Sequence, residues 1–274
     1  MRIRVGHSPD PDDAFMFWGL TTGLVDTRGF EVEQVLADIQ TLNQWARAGR
    51  LEVTAISLAA YPFVQEDYAL LPHGASIGSG YGPIVVARQP ATLQDLRGRE
   101  IVVPGSMTTA FLTLRLVLGD FAYRELAFEQ IPEAVASGTA DFGLLIHEGQ
   151  LTFSDLGLHK LLDLGEWWLL ETGLPLPLGV NVARRDMGER LHDISDVLRD
   201  SITCGLEHRE EALEYALEFG RGIDAAVADR FIGMYVNELT QDYGDEGRKA
   251  VSELLRRGEA IGAFPRPVRI DFVG

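Results

Sequence analysis

Four short stretches of the 274-residue chain hold side chains whose types and spacing can do chemistry. The first is "GHSPDPDDAF", residues 6–15, which gathers His7, Ser8, Asp10, Asp12 and Asp13 just ahead of an apolar run. Two readings stand for it: Asp12 or Asp13 as a helix N-cap behind a turn stiffened by prolines, or the His and Asp residues as an acid/base or metal cluster. Against an ion, carboxylates adjacent in sequence converge on one only within a turn of defined ligand spacing, which is absent here. The second stretch, "TAISLAAYP", puts Ser57 at the end of an apolar run, as a cap or as a ligand donor; no G-x-S-x-G surrounds it, so nothing marks it as a nucleophile. The third, "VPGSMTTAFL", crowds Ser106, Thr108 and Thr109 into the start of a helix. One hydroxyl suffices for a cap, whereas first-turn N–H groups and the helix dipole also suit an anion. The fourth, "ADFGLLIHEGQLTF", ends an alternating apolar run on His147 and Glu148. A strand end of an open α/β sheet is where ligands bind, and a histidine there can take a proton near neutral pH; the other reading is a structural histidine.

The elements that must position these residues alternate between strand and helix patterns, as in βαβ units around a largely parallel sheet. Strand-like "MRIRVG", "FEVEQVLA", "LEVTAIS", "EIVVPG" and "ADFGLLIHEG" are interleaved with helix-like segments that include "DDAFMFWGLTTG", "IQTLNQWARAG", "TTAFLTLRLVLGDF" and "IPEAVASGT". Beyond residue 185 only helices are expected, over 194–218 and 223–258. Two extended segments echo each other, "GPIVVAR" at 82–88 and "LGVNVAR" at 178–184. A chain that enters a second domain and later leaves it needs two crossing strands. The echo supplies them and predicts two lobes over a cleft.

Composition narrows the partners. With 24 Lys plus Arg against 41 Asp plus Glu, the formal charge is −17 and the basic residues are scattered, which argues against nucleic acid. A small anion at one local site stays compatible with this. "MRIRVGHSPD" lacks the pattern of an export signal, and no apolar run approaches the roughly 20 residues of a membrane span. A cytoplasmic protein without a membrane partner is therefore expected. The one cysteine, Cys204, is read as core.

Together, "HSPDPDDAFMFWGL", "DIQTLNQWARAGRLEVTAISLAAY", "GYGPIVVAR", "VPGSMTTAFLTLRL", "ADFGLLIHEGQLTF", "DLGEWWLLETGLPLPLGVNVARRD" and "YVNELTQDYGDEG" resemble the 1,4-dihydroxy-6-naphthoate synthases of the futalosine route to menaquinone, over nearly the whole chain. The resemblance implies a two-lobed α/β fold of the type II periplasmic-binding-protein kind, with paired hinge strands and a central cleft. One lobe is then 1–86 with 181–274 and the other 87–180. It implies conversion of cyclic dehypoxanthinyl futalosine, a carboxylate, to the naphthoate with release of a three-carbon sugar fragment. His147 is the implied proton acceptor, and Ala55, Ile56, Ser57, Thr109 and Ala110 the implied substrate contacts, with Ser8, Asp13, Asn43 and Thr108 as further cleft candidates and neither cofactor nor metal. Many members open with Ser-Pro-Cys-Pro-Asn-Asp-Thr where this chain has "SPDPDDA". The rival activities are the sibling chorismate dehydratase and a non-catalytic solute-binding protein of the same architecture.

Overall fold

Ile3 and Val5 alternate with Arg2 and Arg4, the period of a strand with one buried face. In the computed structural model, which describes residues 1–220 and 224–273, both are fully buried in β1 (Arg2–His7). The remaining strands are β2 (Glu31–Leu36), β3 (Val53–Ser57), β4 (Tyr68–Leu70), β5 (Ser76–Gly78), β6 (Ile84–Ala87), β7 (Ile101–Val103), β8 (Tyr123–Glu125), β9 (Phe142–Leu145), β10 (His159–Asp163) and β11 (Leu176–Arg184). They form two sheets. The first has the order β2-β1-β3-β11-β4 with β5 also on β11, and the second β10-β6-β9-β7-β8.

Neither sheet is purely parallel. β1 pairs in parallel with β2 and β3, and β7 with β8 and β9, as the βαβ alternation predicts. β11 runs antiparallel to β3, β4 and β5, and β6 antiparallel to β9 and β10. These are the two echoed segments. They do not pair with each other; each sits inside a different sheet, because each brings the chain in from the other lobe. By sheet membership the chain changes lobe before Ile84 and between Asp163 and Leu176, so the expected breaks at 86/87 and 180/181 fall inside β6 and β11.

The helical C-terminal region is more broken than its sequence pattern suggests. The expected helix over 194–218 is two, Leu191–Glu207 and Arg209–Leu217, separated at His208. The start of the second expected helix, Ile223, lies outside the described residues. Beyond it the chain forms Ala225–Tyr235, Glu238–Gln241 and Gly244–Ala260. Asn237 causes the first interruption: its side chain accepts from Leu239 N–H while Thr240 Oγ1 accepts from Asn237 N–H, a reciprocal cap that starts a new helix.

The largest apolar cluster draws on both sheets, with Ile56, Val180 and Val182 from the first and Val85, Val103 and Leu144 from the second. Ile3, Val5 and Val53 pack on the other side of the first sheet with Phe15, Val197 and Leu198; Ile84, Val86 and Val102 pack with Ile131 and Val135. Where the chain passes between lobes, two segments touch through glycine. Leu164 N–H donates to Pro83 C=O at 2.9 Å, and a Cβ on Gly165 would overlap the carbonyl of Tyr81. Gly165→Ala therefore forces backbone to move and should cost at least about 2 kcal/mol, the upper part of the range for overpacking. Urea unfolding monitored by tryptophan fluorescence checks this, and a loss under about 0.5 kcal/mol would show the crossing to be pliable.

Candidate active site

The C-terminal ends of β1, β3, β7 and β9 deliver the four stretches to one cavity between the sheets, as the position of ligands at strand ends in open α/β folds requires. The cavity has about 660 Å³ of empty space including its mouth, within the range of small-molecule sites. Ser8, Asp12, Asp13, Ala55, Ser57, Thr108, Thr109, Ala110 and His147 all line it.

After β1, the turn into the helix Pro11–Phe17 corrects the expected cap. Asp10 holds the N-cap position with extended backbone but makes no side-chain cap bond, Pro11 is the first helical residue, and Asp12 and Asp13 lie inside the first turn. The three carboxylates point to three partners. Asp10 Oδ2 lies 3.1 Å from His147 Nδ1, across from the other sheet. Asp12 Oδ2 accepts from Ser76 Oγ at 3.2 Å. Asp13 Oδ2 accepts from both the N–H and the hydroxyl of Ser8, each at 2.8 Å. His7 turns away from the cavity, stacked on Phe17 and bonded to Gln34. The turn therefore does not converge on one point, and among the described residues no three His, Cys, Asp or Glu side chains are placed to hold a metal ion.

Burial of these acids disfavours their charged forms. It pushes Asp12 up to about 7, reinforced by the charges of Asp13 and Asp10 and opposed by His147 and Ser76. It pushes Asp13 up to about 6, opposed chiefly by the two bonds from Ser8.

His147 follows β9 by two residues and carries φ +53°, in the left-handed region that few non-glycine residues occupy. Strain of this kind persists where surroundings over-determine it. Here Asp10 sits at Nδ1 and the ring of Phe128 packs edge-on at 4.7 Å. A carboxylate at Nδ1 favours the tautomer protonated there. Nε2 is then the basic nitrogen, and it is buried without a hydrogen-bond partner.

Ala55 and Ser57 face the cavity from β3, whereas Ile56 between them is fully buried in the core, as strand alternation demands. Asn43 lies behind the cavity wall rather than in it. Its Oδ1 accepts from Ser57 N–H at 2.8 Å and its Nδ2 donates to Ser57 Oγ at 3.1 Å, which leaves the serine's proton for the cavity.

The two threonine hydroxyls after β7 are not spare ligands. Thr108 caps the helix Thr109–Leu118 by accepting from Phe111 N–H, and donates to Gly105 C=O. Thr109 donates to Leu178 C=O at 2.6 Å and accepts from Ala59 N–H at 3.1 Å, tying β7's helix to the first sheet's elements. The second threonine hydroxyl, beyond the one the cap uses, is thus structural. What the turn offers a ligand is the main-chain N–H of Thr109 and Ala110, the first two of the helix, which have no intrahelical acceptor.

Sequence reasoning missed Ser76, Gln150, Phe231 and Tyr235, which also line the cavity, with Tyr235 Oη donating to Gln150 Oε1 at 2.7 Å. Phe231 and Tyr235 recur four residues apart on a helix, a spacing indistinguishable in sequence from ordinary core.

A family profile described as menaquinone biosynthesis matches residues 3–260. A protein of Thermus thermophilus named 1,4-dihydroxy-6-naphtoate synthase is 42% identical over 267 residues, 97% of each chain. One of the same name from Streptomyces coelicolor is 40% identical over 270 residues, 96% of this chain and 95% of that one. Among solved structures, a protein of Archaeoglobus fulgidus superposes with a TM-score of 0.92 at 45% identity, over 96% of this chain and 98% of that one. The alkanesulfonate-binding protein of Xanthomonas axonopodis pv. citri superposes with a TM-score of 0.72 at 15% identity, over 97% and 94%, a likeness of fold that establishes the two-lobed binding-protein architecture.

Since the folded-state value of Asp12 lies above that of an unfolded aspartate, the native protein holds the extra proton between about pH 4 and about 7. Its contribution to stability is full below that window and is lost as pH rises through it. Melts of wild type and Asp12→Asn at pH values across the window should show the variant gaining on wild type as pH rises, on the order of a few kcal/mol in all. A difference that stays constant with pH would mean that Asp12 titrates as an ordinary aspartate.

Proposed function

The chain belongs to the menaquinone biosynthesis family, and from that premise we propose that it is a 1,4-dihydroxy-6-naphthoate synthase, a carbon–carbon lyase that converts cyclic dehypoxanthinyl futalosine to the naphthoate and a three-carbon sugar fragment. The full-length relatives that carry this name at 40 and 42% identity support the activity over the dehydratase and the non-catalytic rival. The observation that carries the mechanism is the buried, unpartnered Nε2 of His147 facing the cavity with a carboxylate 3.1 Å from Nδ1.

In this reading His147 Nε2 takes a hydroxyl proton of the substrate. The electron pair of that O–H bond forms a carbonyl as the adjacent C–C bond breaks in a retro-aldol-type step, and the pair of the broken bond passes into the ring system as an enolate. Asp10 stabilises the imidazolium that forms, in the way a carboxylate steadies a catalytic histidine. Formation of the aromatic naphthalene drives the reaction forward. The enclosing lobes align the scissile bond and keep water out, so the protein's part is one base and a fixed geometry. The substrate's carboxylate lies at the turn 108–110 and is held by the N–H groups of Thr109 and Ala110 with the helix dipole. The hydroxyl of Thr109 is committed to Leu178, so it supplies no bond to that anion.

Purified protein given cyclic dehypoxanthinyl futalosine should release naphthoate, followed by its absorbance, while chorismate is left unchanged; the reverse result assigns the dehydratase. His147→Ala should lower kcat by about 10²- to 10⁴-fold, the worth of a general base, with product affinity nearly retained. An unchanged kcat would remove His147 from the mechanism. A second measurement locates the anion: wild type should bind the naphthoate about 10- to 150-fold more tightly than its neutral carboxamide, the effect of a charge-assisted bond. Equal affinities would place the carboxylate away from the helix turn.

A further inference from the structure

Of the three carboxylates in the turn after β1, Asp13 accepts both donors of Ser8, and Asp10 lies in ion-pair contact with the imidazole of His147 at 3.1 Å. Asp12 differs. It is only 6% exposed and lines the cavity, its Oδ2 has one bond, from Ser76 Oγ, and its Oδ1 is buried with no hydrogen-bond partner. An acceptor in that condition carries a desolvation cost that a ligand's donor removes. Ser76 Oγ spends its proton on Asp12 and retains a lone pair, so the pair together presents two acceptors at one place in the cavity wall.

The ligand group that fits two acceptors and no cation is a hydroxyl. A carboxylate is excluded, because Asp10, Asp12 and Asp13 all lie in the same turn and their charges already act on one another. An ammonium is not a feature of the substrate in the reading above. We propose that Asp12 and Ser76 form the subsite that holds the hydroxyl groups of the three-carbon fragment, and so fix which end of the substrate faces the acidic turn. The inference rests on the proposed synthase activity for the identity of the fragment. It also explains why one cavity carries both an acidic turn and a turn of free main-chain N–H groups: the first takes the polyol end and repels the carboxylate, and the second takes the carboxylate. Asp12 and His147 line the same cavity, so the subsite and the base share it.

The test separates the two ends of the substrate. Asp12→Leu and Ser76→Ala should each lower kcat/KM for cyclic dehypoxanthinyl futalosine by about 10- to 100-fold, one or two lost hydrogen bonds. Affinity for the naphthoate product, which lacks the fragment, should change by less than about threefold. Asp12→Asn, which keeps an acceptor, should recover about tenfold of the loss seen in Asp12→Leu. Product affinity falling in parallel with kcat/KM, or kcat/KM unchanged in Asp12→Leu, would overturn the assignment. A second arm is independent of turnover: saturation-transfer NMR of dihydroxyacetone at millimolar concentration with product bound. A signal in wild type that disappears in Asp12→Leu supports the subsite even if the futalosine derivative is not turned over, which would count against the activity alone. No signal in wild type, or an equal signal in the variant, would overturn the subsite.

Discussion

Asp10, Asp12 and Asp13 are taken out of water within one helical turn, and the organisation of the cavity follows from how that is tolerated. Desolvation alone would favour protonation of all three. Each is relieved differently: Asp13 by two donors from Ser8, Asp10 by an imidazole from the opposite sheet, and Asp12 by Ser76 together with a strong upward shift of its own proton affinity. The helix N-terminus beneath them adds favourable potential for what charge remains. Because Asp10 and His147 follow strands of different sheets, their contact also joins the lobes at the cavity.

The two sheets repeat one plan. Read from one edge, the first runs β2-β1-β3-β11-β4 and the second β8-β7-β9-β6-β10, with parallel strands in the first three places and an antiparallel strand in the fourth. Equivalent strand ends therefore supply equivalent parts of the cavity. The acidic turn after β1 corresponds to the N–H turn after β7, and Ser57 at the end of β3 to His147 just beyond β9. The sequence echo between "GPIVVAR" and "LGVNVAR" reflects the same plan, since β6 and β11 occupy matching places in opposite sheets.

Much of this was legible from residue types. Period-two apolar runs located many of the strands, the echo picked out β6 and β11, the strands beside the two crossings, and the stretches singled out for Ser57, the turn 108–110 and His147 meet at one cavity. What stayed hidden depends on long-range pairing. No local pattern reveals that Asn43 locks Ser57, that Thr109 is bound to Leu178, or that Asp12 reaches Ser76, because these partners lie 14, 69 and 64 residues apart. The antiparallel course of β6 and β11 was hidden for the same reason: direction in a sheet is set by where the chain comes from. Tyr235 and Phe231 were invisible because a ligand-facing aromatic and a core aromatic share one helical spacing.

A net charge of −17 opposes an anionic ligand at long range, yet what such a ligand would meet inside the cavity is set locally. Long-range repulsion affects mainly the rate of encounter and is screened within about 10 Å at ordinary salt. Inside the cavity only the nearest groups matter. There the acidic groups are confined to the turn after β1, while the turn after β7 offers main-chain N–H donors whose dipoles owe nothing to Lys or Arg. A positively charged side chain in the second turn would bind the carboxylate more strongly, but it would also pair with the nearby buried acids and hold them ionised. Main-chain donors avoid that competition, since they cannot move toward Asp12 or Asp13. An acidic protein can therefore gather buried carboxyl groups at one end of a cavity and accommodate an anion at the other, provided the anion site is built from backbone.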